Sequence, residues 1–143
     1  MSDYHVAAHA RTLLGEGPTW IARENSIYWV DILGHRLHRH DLSDGKTYNW
    51  DMPEPICWLV ERKSGGFLAG FGSGFASLAL DPIEIGPIQA LGPPRANHRL
   101  NDAKVDPAGR IWAGVMEMTA ATPTGSFHRI EANTAPVCVE ESY

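Results

Sequence analysis

The sequence is poor in cysteine: Cys57 and Cys138 are the only two in 143 residues. Two cysteines are too few for a disulfide framework or a four-cysteine zinc site, so we expect two reduced structural thiols. No segment approaches the ~18 apolar residues of a membrane span. The N-terminus, Met1 to Ala10, has neither a basic start nor an apolar run and does not resemble a signal peptide. We therefore expect a cytoplasmic protein without a membrane partner.

The composition is that of a folded domain. Hydrophobic residues make up 43% and charged residues 20% of the chain, so a buried core is expected. The formal net charge is −5 and the 12 Lys and Arg residues are scattered, which argues against a nucleic-acid partner. A G-x-S-x-G nucleophile motif is absent, and the glycine-rich stretch around Gly70 lacks the lysine and helix of a phosphate-binding loop.

Short apolar runs separated by turn residues predict an all-β protein. The chain contains 14 glycines and 10 prolines, and helical periodicity is scarce. Runs with high strand propensity are followed by turn signals such as Ser43-Asp-Gly45. The strand-like runs are Ser26–Ile32, Arg36–Asp41, Gly66–Phe71, Phe75–Leu80, Arg110–Met116 and Gly125–Ile130.

The strands repeat along the chain. Ile27, Phe67 and Ile111 occupy equivalent places after a turn, with separations of 40 and 44 residues. Periods of roughly 40–50 residues with several short strands per unit are typical of β-propeller blades. About three blades would leave two open faces, because propellers close with about 4–8 blades. The predicted boundaries are 1–143 for a single region and approximately 12–52, 53–94 and 95–143 for its blades.

Glu16 is a candidate metal ligand. Its neighbours Gly15 and Gly17 let the backbone approach a ligand closely, and Pro18 restricts the direction of the chain. A carboxylate on such a mount is suited to a divalent cation such as Ca²⁺, Mg²⁺, Mn²⁺ or Zn²⁺. The alternative is that Glu16 is an ordinary surface turn residue.

Arg99 and Asn101 are candidate substrate contacts. They are two positions apart, so on a strand they point to the same side. An arginine and an amide on one face can hold a polyhydroxy compound through several directed hydrogen bonds. The alternative is that Asn101 and Asp102 open a turn before Lys104.

Two segments resemble the signature of one family. Leu14–Trp20 is similar to L-x-E-G-P-x-W, and Arg99–Met116 is similar to R-x-N-D-G-K-x-D-x-x-G-R-x-W-x-G-T-M. Both resemble the SMP-30/gluconolactonase/regucalcin family. The resemblance implies a six-bladed β-propeller that hydrolyses sugar lactones with one divalent metal ion, Ca, Zn, Mn or Mg. It also implies that Glu16 is a metal ligand and that Arg99 and Asn101 contact the substrate.

The resemblance also implies what this chain lacks. Family members complete the metal site with an Asn and an Asp from later blades, in S-N-G and P-D-G segments, and neither segment occurs here. That Asp is also the expected general base. Ala103 replaces the family's glycine in N-D-G-K, and alanine would strain the backbone if this position needs a positive φ.

Three functional hypotheses follow. The chain is half of a metal-dependent sugar lactonase that needs its C-terminal half or a separate partner. Alternatively, it is a catalytically silent β module that self-associates, two copies closing as a C₂ pair, with a divalent cation still bound. The third hypothesis is a fragment without a function of its own.

Other conspicuous residues carry weaker predictions. His35–His40 contains three histidines, for which a solvated outer strand is the preferred interpretation over a metal site. Asp106 is expected to cap its own turn, and Trp29 and Trp112 are expected to pack within blades. Glu117 follows the second motif and is assigned no role.

Overall fold

The computed structural model describes residues 4–142 and consists of three four-stranded antiparallel sheets. Within each sheet the strands lie in chain order, which places sequential strands side by side. The strands of sheet 1 are β1 (Gly15–Ile21), β2 (Ser26–Asp31), β3 (Arg36–Asp41) and β4 (Thr47–Asp51). Those of sheet 2 are β5 (Ile56–Glu61), β6 (Phe67–Phe71), β7 (Phe75–Leu80) and β8 (Ile83–Ile85). Those of sheet 3 are β9 (His98–Val105), β10 (Ile111–Glu117), β11 (Ser126–Ile130) and β12 (Val137–Glu141).

The rest of the described chain forms turns, connections and one three-residue 3-10 helix, Ala22–Glu24. Over residues 4–142, no helix has the length and apolar character needed to cross a membrane. Met1–Asp3 and Tyr143, the ends of the single region predicted from the sequence, lie outside the described residues.

All six strands predicted from apolar runs occur, as β2, β3, β6, β7, β10 and β11. In β2 burial alternates with a period of two, since Tyr28 and Val30 are buried while Ile27 and Trp29 are half-buried. The first strand of each sheet was not among the predicted runs. β1 contains glycine and proline, four consecutive residues of β5 are buried, and β9 is largely polar, so none of them shows simple alternation.

Sheet 2 lies between sheets 1 and 3 and is buried on both faces. β5 packs against β1 and β2 on one side and against β9 on the other. Trp58 and Phe67 are 1% and 3% exposed, and burying such a side chain stabilises the fold by roughly 1.5–3 kcal/mol. The rings of Tyr28 and Phe67, with centroids 5.2 Å apart, join sheet 1 to sheet 2. The Leu100 N–H donates to the Gly72 carbonyl at 3.2 Å and joins sheet 3 to sheet 2.

Sheets 1 and 3 each have one face that no other sheet of the described chain covers. On sheet 1 this face is opposite Tyr28, because neighbouring residues of a strand point to opposite sides. It includes Trp20, which is 50% exposed. The outer face of sheet 1 consists of Trp20, Ile27, Trp29, His38 and His40. The outer face of sheet 3 consists of Trp112, Gly114, Phe127 and Arg129.

We expect Gly70→Ala to destabilise the fold. A methyl group at Gly70 would lie 2.0 Å from Cε2 of Trp58, a ring that is only 1% exposed. The free energy of unfolding, measured by urea denaturation with tryptophan fluorescence, should fall by about 1–3 kcal/mol. Gly114→Ala is the matched control, since Gly114 is the equivalent residue of sheet 3 and a methyl group there meets nothing within 4 Å. Equal losses in the two variants would contradict this packing.

Candidate functional site

The first strands of the three sheets lie side by side. β5 packs on both β1 and β9, so the three form a row with β5 in the middle. Glu16, Ile56 and Arg99, near the beginnings of these strands, pair with residues near the ends of β2, β6 and β10. The backbone of Gly17 lies beside the Cys57 carbonyl, and the Leu100 N–H donates to the carbonyl of Gly72, whose own N–H donates to Pro55 just before β5. The beginnings of β1, β5 and β9 therefore lie at one end of the molecule, which we call the upper end. Both family-like motifs place residues there.

Each first strand carries a β-bulge at its upper end. The register shifts after Glu16 in β1, after Ile56 in β5, and between Ala113 and Val115 of β10, which face β9. Bulges bend a strand, re-aim its side chains and are frequent beside active sites. The residues within the three bulges are Gly17 and Pro18 on β1, Cys57 on β5, and Asn101 and Asp102 on β9.

Glu16 is exposed and borders a recess of about 410 Å³. The recess is also lined by Trp29, His40 and small residues of the N-terminal segment such as Ala8. The carboxylate of Glu16 makes no hydrogen bond or ion pair with another residue of 4–142. Gly17 has a φ of +57°, a conformation that favours glycine, so the bulge depends on this residue. The Glu16 carboxylate is thus available to a ligand.

Asp31, at the end of β2, holds the backbone that leads into Glu16. Its carboxylate accepts hydrogen bonds from the N–H groups of Leu13 at 3.0 Å, Leu14 at 2.9 Å and Gly34 at 3.0 Å. Asp31 is only 5% exposed, and burial opposes its ionisation. The three hydrogen bonds outweigh burial and hold the pKa of Asp31 below its ordinary value of 3.8. Asp31 therefore positions Glu16 through the main chain.

Arg99 and Asn101 contact each other on β9. Nη1 of Arg99 donates to the Leu100 carbonyl at 2.8 Å and to Oδ1 of Asn101 at 3.2 Å. Arg99 is 9% exposed, whereas Asn101 is exposed. A guanidinium carries five N–H donors and both bonds use Nη1, so further donors remain for a ligand. The pair is suited to bind a compound with several hydroxyl or carbonyl oxygens.

Cys57 lies between Glu16 and Arg99 in the row of first strands and was missed by sequence reasoning. Its side chain is 1% exposed, and a methyl group at Gly17 would lie 3.9 Å from its carbonyl oxygen. Burial raises the pKa of the thiol to about 12, although the Arg99 cation opposes this shift. A neutral, buried thiol separates the two motifs. The sequence feature that could have identified Cys57 is its spacing. Cys57 lies 41 residues after Glu16 and 44 residues before Asn101, which matches the period of the blade repeat.

Glu117 organises the connection from β10 to β11 at the upper end. Its Oε2 atom accepts hydrogen bonds from the hydroxyl of Thr119 at 2.7 Å and from the N–H groups of Thr119 and Ala121 at 3.1 Å. The hydrogen bond from the Thr119 hydroxyl is the main reason that the pKa of Glu117 is lowered. Glu117 thus has a structural role that the sequence did not reveal.

Comparisons with known proteins agree with the motifs. The family model described as "SMP-30/Gluconolactonase/LRE-like region" matches residues 14–142. The chain belongs to this family. It is 38% identical over 122 residues to 6-deoxy-6-sulfogluconolactonase from Pseudomonas putida, which covers 85% of this chain and 42% of the relative. It is 39% identical over 106 residues to regucalcin from Gallus gallus, which covers 74% of this chain and 36% of the relative.

The three sheets also match a solved structure of the family. A calcium-binding protein, regucalcin, from Agrobacterium tumefaciens aligns with a TM-score of 0.84 at 23% identity, covering 96% of this chain and 46% of that one. The predicted fold, a β-propeller of the six-bladed SMP-30 type with about three four-stranded blades present, is confirmed. The chain spans less than half the length of each of these relatives.

The described part of this SMP-30 family chain does not form a complete metal site by itself. Among residues 4–142, no three His, Cys, Asp or Glu side chains lie close enough together to hold an ion. Glu16 offers a hard oxygen ligand that fits a divalent cation, and Oδ1 of Asn101 is already an acceptor for Arg99. The donor set in these residues is therefore partial.

The prediction of a solvated strand for the His35–His40 cluster is wrong. His38 and His40 are only 5% and 6% exposed. β3 is flanked by β2 and β4, and the ring of His38 stacks on Trp29 with centroids 5.0 Å apart. Both histidines belong to the outer face of sheet 1, where burial lowers the pKa of His38.

Ala103 and Asp106, both within the second motif, have ordinary structural roles. Ala103 is not among the described residues with positive φ, and it is buried opposite Ala113, so the expected strain is absent. Asp106 caps its own turn as predicted, accepting hydrogen bonds from the N–H groups of Ala108 and Arg110 at 3.0 Å. A hydrogen bond from the Trp112 indole is the main reason that the pKa of Asp106 falls to about 2.

Asp31→Asn should destabilise the protein at pH 7 by about 1–3 kcal/mol, because it removes a buried charged acceptor of three N–H groups. The folded-state pKa of Asp31 lies below its ordinary value of 3.8. The stabilisation is therefore complete above pH 3.8 and is lost as the pH falls through the folded-state pKa. Urea denaturation of wild type and variant at several pH values should show a difference that shrinks in acid.

Asp51→Asn is the control for this prediction. The Asp51 carboxylate is 78% exposed and pairs with Arg36 at 2.7 Å, so its loss should change stability by less than about 1 kcal/mol. A difference between Asp31→Asn and wild type that is constant down to pH 2 would contradict the proposed charge effect.

Proposed function

We propose that this chain supplies part of the active site of a metal-dependent sugar lactonase. Glu16 is one ligand of a divalent cation, Ca, Zn, Mn or Mg, and Arg99 and Asn101 bind the lactone. The observation that carries the proposal is the row of first strands, in which β1 and β9 present these residues beside bulges at the same end. A relative that is 38% identical is named 6-deoxy-6-sulfogluconolactonase, which supports a sugar lactone as the class of substrate.

The chemistry of Arg99 and Asn101 suits a sugar lactone. Arg99 is 9% exposed and held by the Leu100 carbonyl and Asn101, so its guanidinium is oriented before the ligand arrives. Its remaining N–H donors match ring and hydroxyl oxygens of the lactone. The exposed amide of Asn101 adds a donor and an acceptor for a neighbouring hydroxyl.

The cation and the general base complete the proposed reaction. A bound divalent cation would polarise the lactone carbonyl and so favour attack by water. Glu16 alone cannot hold such an ion, and we propose that the remaining ligands and the base come from the rest of the propeller. Those blades belong to a further polypeptide segment, because this chain has neither the S-N-G nor the P-D-G segment that carries these groups.

A second candidate is a catalytically silent, self-associating half-propeller that binds a cation. The half-exposed Trp20 and the incompletely buried Trp29 and Trp112 of the outer faces favour this alternative, because they indicate surfaces that another sheet would cover. Lactone hydrolysis separates the candidates. Metal-dependent turnover by the chain or by its completed propeller supports the lactonase, and its absence in both supports the silent module.

Joining residues 14–142 to the remaining blades of the Pseudomonas putida relative should give a metal-dependent sugar lactonase. In this chimera Glu16→Gln is expected to lower kcat/KM by about 100-fold or more, because a neutral amide is a poor ligand for a hard cation. Titration of acid released from a sugar lactone, with and without a chelator, measures the effect.

Glu84→Gln is the matched control, since Glu84 is exposed on β8 at the outer edge of sheet 2. This variant should keep the activity of the chimera. A folded chimera without chelator-sensitive hydrolysis, or full activity of Glu16→Gln, would overturn the assignment of Glu16.

Arg99→Lys in the same chimera should weaken lactone binding. Lysine keeps the positive charge but cannot hold both the Leu100 carbonyl and Asn101 in the guanidinium geometry. Losing a charge-assisted hydrogen bond to substrate costs about 1.5–3 kcal/mol, so kcat/KM should fall roughly 10–100-fold. Initial rates over a range of lactone concentrations give this ratio. An unchanged kcat/KM would show that Arg99 does not contact substrate.

A further inference from the structure

Glu54 lies at the upper end, in the connection from β4 to β5. Pro53 and Pro55 flank it, and because proline fixes the backbone φ angle, the main chain has little freedom at this point. The Gly72 N–H donates to the Pro55 carbonyl at 2.8 Å and ties the connection to the hairpin between β6 and β7. Glu54 is therefore held on a stiff segment, two residues before β5 begins.

The carboxylate of Glu54 is only partly engaged. Its Oε1 atom accepts a hydrogen bond from the hydroxyl of Ser73 at 2.6 Å. Its Oε2 atom has no hydrogen-bond partner among residues 4–142, and the carboxylate forms no ion pair with them. The residue is half-buried. One carboxylate oxygen is thus fixed in place, and the other remains an acceptor for a ligand.

Glu54 and Arg99 border the same part of the upper end. A methyl group at Gly72 would lie 3.6 Å from Oε2 of Glu54, so the carboxylate lies against this glycine. The Gly72 carbonyl accepts a hydrogen bond from the Leu100 N–H at 3.2 Å, and the Leu100 carbonyl accepts one from Arg99 at 2.8 Å. The pKa of Cys57 is raised mainly by burial, is lowered by the Arg99 cation and is raised further by the Glu54 carboxylate. Both charged groups therefore lie near the same thiol.

Other carboxylates near this end of the sheets have their own partners. Asp31 accepts hydrogen bonds from three N–H groups, and Glu117 accepts them from two N–H groups and a hydroxyl. Asp102 pairs with Nζ of Lys104 at 2.8 Å. Glu54 differs from these three residues because one of its oxygens is left without a partner in the described chain.

We propose that Glu54 is a further substrate contact and that its charge makes the site selective for a neutral sugar lactone over one that carries an anionic group. This inference rests on the proposed lactonase function. Arg99 donates hydrogen bonds to oxygens of the lactone, whereas the Glu54 carboxylate, which has only acceptors, receives them from hydroxyl groups. By itself the Arg99 cation would attract a phosphate or sulfonate group. The Glu54 carboxylate offsets this attraction, and a like charge about 6 Å away weakens binding by roughly tenfold.

Glu54→Gln tests the effect of the charge on the 143-residue chain itself. Glutamine keeps an oxygen that can accept from Ser73 and removes the negative charge. The probes are D-glucitol and D-glucitol 6-phosphate, and titration followed by NMR gives a Kd for each. The variant should bind the phosphate about tenfold more tightly and the neutral polyol no more tightly than wild type. An unchanged ratio of the two Kd values would overturn the proposal, as would wild-type chain that binds neither polyol.

Two variants separate the charge of Glu54 from a structural effect. Ser73→Ala removes the hydrogen bond to Oε1 but keeps the carboxylate, so the preference for the neutral polyol should remain. Glu84→Gln removes one negative charge from exposed β8 at the outer edge of sheet 2, so it should leave both Kd values unchanged. If either control lost the preference as Glu54→Gln does, the hairpin or the net charge would explain the result, and the proposal would fail.

Kinetics in the chimera distinguish a failure of this inference from a failure of the proposed function. The substrates are D-glucono-1,5-lactone and its 6-phosphate. In Glu54→Gln the ratio of kcat/KM for the neutral lactone to that for the phosphate should fall about tenfold, mainly through KM. A chimera that hydrolyses neither lactone refutes the lactonase, while the polyol titrations still decide whether Glu54 contacts the ligand. An active chimera with an unchanged ratio refutes the role of Glu54 and leaves the lactonase in place.

Discussion

The burial of sheet 2 on both of its faces is the constraint on which the rest of the structure depends. A sheet in this architecture has two apolar faces, and Trp58 and Phe67 become fully buried because sheets 1 and 3 cover one face each. The same packing aligns β1, β5 and β9 in a row. The candidate site is therefore a product of blade packing, since it consists of residues from strands that do not hydrogen-bond to one another.

The residues of the site are positioned mainly by the main chain. Asp31 binds the N–H groups of Leu13 and Leu14, directly before Glu16, and the bulges turn the strands at the upper end. Arg99 is held by the Leu100 carbonyl and by Asn101. Such anchoring keeps the Glu16 carboxylate and the guanidinium in place before a ligand binds, which is what a binding site on rigid strands requires.

The fold was largely predictable, and the site was predictable only in part. Short apolar runs after turn residues identified β2, β6 and β10, because each of these strands is buried on at least one face. Glu16, Arg99 and Asn101 were found through their motifs. Cys57 and Asp31 were not, since Cys57 stands in no motif and Asp31 is a polar residue inside an apolar run. The burial of His38 and His40 was also not predicted, because it depends on the packing of neighbouring strands and side chains around β3.

By itself, the sequence determined the class of the fold, the repeat of about 40 residues and the family, because these depend on local patterns and on two short motifs. The tertiary structure alone decided which residues meet. Cys57 lies between Glu16 and Arg99, Glu117 orders a connection through Thr119, and Ala103 is unstrained, because each outcome depends on register, bulges and packing between sheets. Pairing across sheets joins residues that are 40 or more positions apart, and no local pattern encodes such contacts.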